Sequence, residues 1–154
     1  MIGRIVMLWK KGEIKFEEDI LERKRWRESA MFFGLFTLGV VGTLWVFADL
    51  IVIPEWMQGG EVWWFLALHA LFQELIFRVY FLNRMKLLMP SYLKISVWGA
   101  LVFGGAHLVL PEAFDMVILT MISGYVWSLI YLRTPNLPGV WLSHFVINYA
   151  FFYL

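Results

Sequence analysis

The chain has 154 residues, of which 61% are hydrophobic, 19% aromatic and only 16% charged. Soluble domains have about 45–50% apolar and about 25% charged residues, so the composition excludes an ordinary soluble domain, and the apolar excess must face lipid. The net charge of +1 gives no reason to expect a nucleic-acid partner, and the lack of cysteine excludes disulfides and thiolate chemistry.

The first 29 residues form the charged part of the chain. They contain eight of the thirteen Lys and Arg residues, with Ile14, Phe16 and Ile20 recurring among the charges. This pattern fits an amphipathic helix lying on the membrane surface, and it equally fits a solvated tail. We therefore predict that residues 1–29 are a cytoplasmic or interfacial segment that precedes the membrane domain.

Five apolar runs follow, over residues 30–53, 62–88, 93–110, 114–132 and 138–154. Each has about 17–27 residues, enough for a helix to cross a hydrocarbon layer of about 30 Å. A proline lies in every break between runs, where a helix is expected to stop. Residues 30–154 are thus predicted to form one domain, an all-α polytopic transmembrane bundle of about five spans.

The charge of the breaks predicts how these spans are oriented. Arg84, Lys86 and Lys94 lie beside the second break and Arg133 lies in the fourth, whereas the first and third breaks contain acids and no base. Because Lys and Arg are enriched in cytoplasmic loops, the N-terminus is predicted to be cytoplasmic and the C-terminus outside. So compact an integral membrane protein is typical of a prokaryotic plasma membrane.

Polar residues inside the apolar runs need an explanation. Even on scales measured by membrane insertion, a charged side chain at the centre of a transmembrane helix costs about 2.5–3.5 kcal/mol. Glu74 and Arg78 are four residues apart and should pair on one helix face. Each histidine taken alone fits a role in joining helices by hydrogen bonds. Their occurrence on separate spans favours one shared buried site, whose candidate residues are Gln73, Glu74, Arg78, His107, His144 and Asn148.

Three segments carry a resemblance to a known family. Residues 73–78 (QELIFR) resemble the E-E-x-x-x-R motif of the CPBP intramembrane proteases, which include type II CAAX prenyl endopeptidases and bacteriocin-processing proteins. Residues 103–107 (FGGAH) match the F-x-x-x-H motif of that family, and residues 144–148 (HFVIN) match its H-x-x-x-N motif. The three motifs occur in the order of the family, each on its own apolar run.

The resemblance implies an intramembrane endopeptidase that hydrolyses a peptide bond of a membrane-associated peptide or protein. It implies that a motif glutamate and His107 activate water, that His144 and Asn148 stabilise the oxyanion, and that Arg78 orients the motif glutamate. The residue types leave two mechanisms open: a carboxylate acting as base, or a zinc ion held by Glu74, His107 and His144. We expect His69, which lies outside all three motifs, to lie outside the site.

The first motif position departs from the family, because it is Gln73, and a carboxamide cannot accept a proton as a base. Three interpretations are open: Glu74 takes over the role, the protein binds substrate without cutting it, or Gln73 is an engineered replacement. We expect Glu74 to act as the catalytic carboxylate in place of residue 73. A catalytically silent binding or scaffold protein is the alternative, and a proton pathway is a third hypothesis that lacks the inverted repeat of transporters.

Overall fold

The structure, a computed structural model, describes residues 26–46, 63–109 and 114–153. Within these ranges the regular structure is entirely helical, which confirms the all-α prediction. Residues 26–29, predicted to belong to the charged segment, form the first turn of a helix, and the rest of that segment lies outside the described residues. The main helices are α1 (Trp26–Val46), α2 (Trp63–Lys86), α3 (Tyr92–Gly105), α4 (Phe114–Arg133) and α5 (Leu137–Tyr153).

Two of the helices, α1 and α2, are long and apolar enough to cross a membrane by themselves. Only 17% of the most apolar stretch of α1 and 33% of that of α2 is buried inside the protein. A core helix of a soluble protein would be mostly buried, so these two helices instead present their apolar side chains outward, where lipid can cover them. The number of five spans stays a prediction.

The helix α2 changes its hydrogen-bonding pattern within the predicted site. It is α-helical up to Glu74, becomes a π-helix over Leu75–Leu82, and ends with one α-helical turn. Such π segments are rare and occur frequently at functional sites, because the wider turn changes the direction in which side chains project. Arg78 lies within this segment.

The break before α5 shows how a proline and a cap define a helix start. The Asn136 side chain accepts a hydrogen bond of 2.9 Å from the Gly139 backbone N–H, as expected of an N-cap residue. Pro138 lies in the first turn, where its missing N–H costs nothing. The Asn136 amide also donates to Ser29 Oγ at 2.8 Å, which ties the start of α5 to the start of α1.

Small residues allow α3 and α4 to pack closely along their length. A Cβ atom added at Gly99 would lie 2.8 Å from Ser128 Oγ, and one added at Gly124 would lie 3.0 Å from Phe103 Cδ1. Close approach through glycine and serine is typical of helices that associate in membranes. The core that these helices share includes Phe103, Trp127 and Tyr131, all of them buried.

Replacement of Gly104 tests this close packing. A Cβ atom at this position would overlap the Met121 side chain and lie 3.2 Å from the Val117 carbonyl oxygen. We expect Gly104→Ala to lower the free energy of unfolding by about 1–3 kcal/mol, measured by denaturant titration in detergent. Gly105→Ala is the matched control, because nothing lies within 4 Å of its added Cβ. Equal losses of stability in both variants would contradict the packing described.

Candidate active site

The site is built around a buried ion pair on α2. Arg78 Nε lies 3.1 Å from Glu74 Oε2, as the four-residue spacing predicts, and both residues are 0% exposed. The contact is an ion pair without the alignment of a hydrogen bond. Two opposite charges are thus held together away from water, where an unpaired charge is far more costly than a paired one.

Two aromatic rings enclose the guanidinium of Arg78. Its Cζ lies 4.5 Å from the centre of the Phe103 ring and 5.4 Å from that of Trp127. Ring faces attract a cation, and the attraction is larger when the cation is desolvated. Phe103 comes from α3 and Trp127 from α4, so the ion pair on α2 is stabilised by residues of two other helices.

His144 on α5 completes this network. Its Nδ1 lies 2.7 Å from Glu74 Oε1, and the residue is only 2% exposed. A carboxylate only accepts hydrogen bonds, so the proton belongs on Nδ1, which leaves Nε2 as an acceptor in the neutral ring. Glu74 therefore uses one oxygen for Arg78 and the other for His144.

The indole ring of Trp127 packs against the imidazole ring of His144. The two rings lie 4.7 Å apart with an angle of 34° between their planes. The Trp127 Nε1–H donates to Ser143 Oγ at 2.9 Å, and Ser143 Oγ lies 2.7 Å from Thr37 Oγ1 on α1. No sequence motif indicated Trp127, and only its position in an apolar run gave any signal that it was buried.

His107 lies in the 3₁₀ turn Ala106–Val109 that follows α3. Its Nδ1 donates to the Phe103 carbonyl oxygen at 2.9 Å, so in the neutral ring Nε2 is again the acceptor. The Phe103 ring lies 5.2 Å from the His107 ring and 5.6 Å from the His144 ring. The structure therefore brings both motif histidines to the same aromatic side chain.

His69 was expected to lie outside the site, and this expectation stays a prediction. Its ring stacks on Phe65 at 5.7 Å on the exposed side of α2. It lies four residues before Gln73, and residues at this spacing share a helix face.

Gln73 directly precedes Glu74 on α2, and Asn148 lies one turn after His144 on α5. Both are partly buried. Gln73 Oε1 is buried and has no hydrogen-bond partner among the described residues. Because a buried acceptor is normally satisfied, this oxygen is suited to accept from a water or a substrate N–H. The oxyanion role of Asn148 stays a prediction.

The residues of the site do not fit the zinc alternative. Among the described residues, no group of three or more His, Asp or Glu side chains is placed to hold one metal ion. Glu74 directs its oxygens to His144 and to the cation Arg78, and the guanidinium would repel a metal ion beside that carboxylate. We therefore derive no step through a metal.

A family model described as "Type II CAAX prenyl endopeptidase Rce1-like" matches residues 55–150. This region includes the three motifs and Glu74, Arg78, Phe103, Trp127 and His144. Neither a curated protein nor a solved structure gives a match to the chain.

Removal of one member of the ion pair is expected to be strongly destabilising. Arg78→Met leaves the Glu74 carboxylate buried without a cation, which should lower the free energy of unfolding by about 3–5 kcal/mol in a denaturant titration in detergent. Arg84→Met is the matched control near the end of the same helix, since Arg84 is only partly buried, with its Cζ 5.4 Å from the Tyr80 ring centre.

The double variant Glu74→Leu, Arg78→Met separates charge from packing. With both charges gone, no unpaired ion is left, so a substantial part of the lost stability should return. Equal stability of Arg78→Met and Arg84→Met would show that the pair is not buried as described.

Proposed function

Because this chain belongs to the Rce1-like family of type II CAAX prenyl endopeptidases, we propose that it is an endopeptidase that hydrolyses a peptide bond of a membrane-associated peptide or protein. The family is one of membrane proteases, and the apolar helices of this chain agree with a membrane location. We further propose that the protein has five transmembrane spans, with its N-terminus in the cytoplasm and its C-terminus outside, and that it lies in a prokaryotic plasma membrane. It places the scissile bond within the bundle, beside His144.

The 2.7 Å hydrogen bond between Glu74 and His144 carries the proposed mechanism. The charges of Glu74 and Arg78 cancel, so a further positive charge on the imidazole would be uncompensated in a buried site. The mechanism uses the neutral imidazole of His144, whose Nε2 is free to accept a proton. A carboxylate that fixes the tautomer and direction of an imidazole is the same arrangement that activates histidine in Ser-His-Asp enzymes.

In this mechanism His144 Nε2 takes a proton from a water molecule that attacks the scissile carbonyl carbon. The imidazolium and the oxyanion form together, so the net charge of the site does not change, and Glu74 Oε1 stabilises the imidazolium. Nε2 then returns the proton to the leaving amine when the C–N bond breaks. Glu74 positions the base, in place of the direct role expected from the sequence, because both of its oxygens are occupied and it has no exposed surface.

The other motif residues have supporting roles in the proposal. Asn148 is four residues after His144 and shares its helix face, so its side-chain N–H is suited to donate to the oxyanion. Gln73 Oε1 and His107 Nε2 are acceptors that can orient the hydrogens of the attacking water. None of these steps requires a carboxylate at position 73.

The rate of peptide cleavage tests the role of His144. We expect the purified chain in liposomes to cleave a membrane-tethered peptide, with products identified by mass spectrometry. His144→Gln should lower the single-turnover rate by about 10²–10⁴-fold, the usual contribution of a positioned acid–base group. Ser123→Ala is the control, because Ser123 is buried on α4 outside the network and should leave the rate unchanged. A His144→Gln rate equal to that of the control would remove His144 from the mechanism.

Replacement of Gln73 distinguishes this enzyme from a silent binding protein. Gln73→Glu supplies a second base next to the water and should raise the cleavage rate above that of the native chain. If only the Gln73→Glu variant cuts, a carboxylate at position 73 is essential and the His144 mechanism is wrong. If neither chain cuts while both bind the peptide, the protein is a binding or scaffold member of the family.

A further inference from the structure

A chain of hydrogen bonds links the candidate site to α1. It begins at the Trp127 indole on α4, whose Nε1–H donates to Ser143 Oγ on α5 at 2.9 Å. Ser143 Oγ lies 2.7 Å from Thr37 Oγ1 on α1, which in turn lies 2.7 Å from the Phe33 carbonyl oxygen. Trp127, Ser143 and Thr37 are all buried, so three helices share one polar path through an apolar interior.

The hydrogens of this chain can be assigned by counting donors. A carbonyl oxygen only accepts, so the arrangement that satisfies every group directs the single hydroxyl hydrogen of Thr37 to Phe33. Ser143 then supplies the hydrogen between the two hydroxyls, while its oxygen accepts from Trp127. Each group thus donates to the next, from α4 through α5 to α1, and hydrogen bonds in such a series strengthen one another.

The indole of Trp127 is the part of the chain that contacts the site. Its ring lies 4.7 Å from the His144 ring, and this short separation places one ring over the face of the other, because rings side by side in one plane lie further apart. Tryptophan has one polar donor, its Nε1–H, and a buried donor needs an acceptor. The bond to Ser143 Oγ therefore selects how the indole is rotated.

The orientation of the His144 ring depends on both of its neighbours. The 2.7 Å hydrogen bond from Nδ1 to Glu74 fixes one atom of the ring, but a hydrogen bond tolerates some tilt of the donor group. The face of Trp127 restricts that tilt from the side. The carboxylate and the indole together set the direction in which Nε2 points.

From these contacts we propose that Trp127 is a positioning residue for His144, and that Ser143 and Thr37 act through it. The inference rests on the proposed function, in which His144 Nε2 must point at the attacking water. The family match over residues 55–150 covers Trp127 and Ser143 but not Thr37. The link to α1 is therefore a feature of this chain that the match does not supply.

Ser143→Ala tests the chain at its centre. Without the hydroxyl the indole can turn, and we expect kcat for a membrane-tethered peptide to fall by about 10–100-fold, because small misplacements of a reacting group have effects of this order. KM should not change, since Ser143 has no contact with substrate in the proposal. Ser123→Ala is the matched control: this serine is also buried, and its Oγ has no hydrogen-bond partner among the described residues.

A double-mutant cycle shows whether Ser143 acts through the indole. Trp127→Phe keeps an aromatic ring beside His144 but lacks the N–H that Ser143 accepts. In the Trp127→Phe protein, Ser143→Ala should cause no further loss of kcat, because the two residues belong to one series of contacts. Losses of kcat that multiply in the double variant would overturn the proposal, since they would show two independent effects on packing.

The contribution of α1 is tested at Thr37. Thr37→Val keeps the shape of the side chain and removes its hydroxyl, so kcat should fall, though less than in Ser143→Ala, because Trp127 keeps its acceptor. Thr37→Ser, which keeps a hydroxyl, should restore most of the kcat lost in Thr37→Val. Thr43→Val is the control on the same helix, since the Thr43 hydroxyl donates only to the Gly39 carbonyl oxygen, at 2.8 Å on the exposed side of α1.

The order of the His144 ring tests the inference without a substrate. In solid-state NMR of the full chain in lipid bilayers, the order parameter of this imidazole should fall in Ser143→Ala and in Trp127→Phe, and should keep its native value in Ser123→Ala. An unchanged order parameter in the first two variants would overturn the proposal even if the protein cuts peptides. If the order falls as expected while the native chain leaves every peptide whole, Trp127 positions His144 and it is the proposed function that is wrong.

Discussion

The buried ion pair of Glu74 and Arg78 constrains the rest of the bundle. Neither charge is tolerable in an apolar interior unless the other charge and further polar or aromatic groups surround it. Phe103 on α3 and Trp127 on α4 cover the cation, and His144 on α5 binds the anion. The pair thus fixes how four helices are rotated about their axes, since each must direct one particular side chain to the same point.

Buried ion pairs often add little net stability, because the desolvation of both charges offsets their attraction. We interpret this pair as a source of specificity. An apolar pair at the same place would pack equally well in several rotations of α2, whereas only one rotation satisfies both Glu74 oxygens. The proposed chemistry uses the same constraint, since a fixed carboxylate gives the His144 ring a fixed direction.

The backbone permits this arrangement in two ways. The π segment Leu75–Leu82 begins directly after Glu74, so the side chains on either side of it project differently than in a continuous α-helix. On α4, Gly124 leaves room for Phe103, which lies under the guanidinium; an added Cβ would come within 3.0 Å of that ring. Small residues here serve the site as well as the packing of the helices.

The sequence was sufficient to predict the helices and the Glu74–Arg78 pair. Apolar runs bounded by prolines predicted α2 to within two residues at each end, because both signals are local. The contact of Glu74 with His144 could not be predicted, since the partners of a carboxylate depend on how neighbouring helices are rotated. Trp127 could not be predicted for the same reason, because it meets the site from another helix and no spacing within one segment encodes that contact.

The protonation of His144 is the most direct test of this account, and it does not depend on finding a substrate. With ¹⁵N-labelled histidine in lipid bilayers at neutral pH, solid-state NMR should show two imidazoles with a protonated Nδ1 and an unprotonated Nε2, those of His107 and His144. The His144 signal should be the one with the stronger hydrogen bond at Nδ1, because its acceptor is a carboxylate. That signal should disappear in His144→Gln, and in Glu74→Gln its Nδ1 proton should move to the position of a weaker hydrogen bond. An imidazole of His144 whose spectrum is unchanged by Glu74→Gln would contradict the central claim that this buried carboxylate positions it.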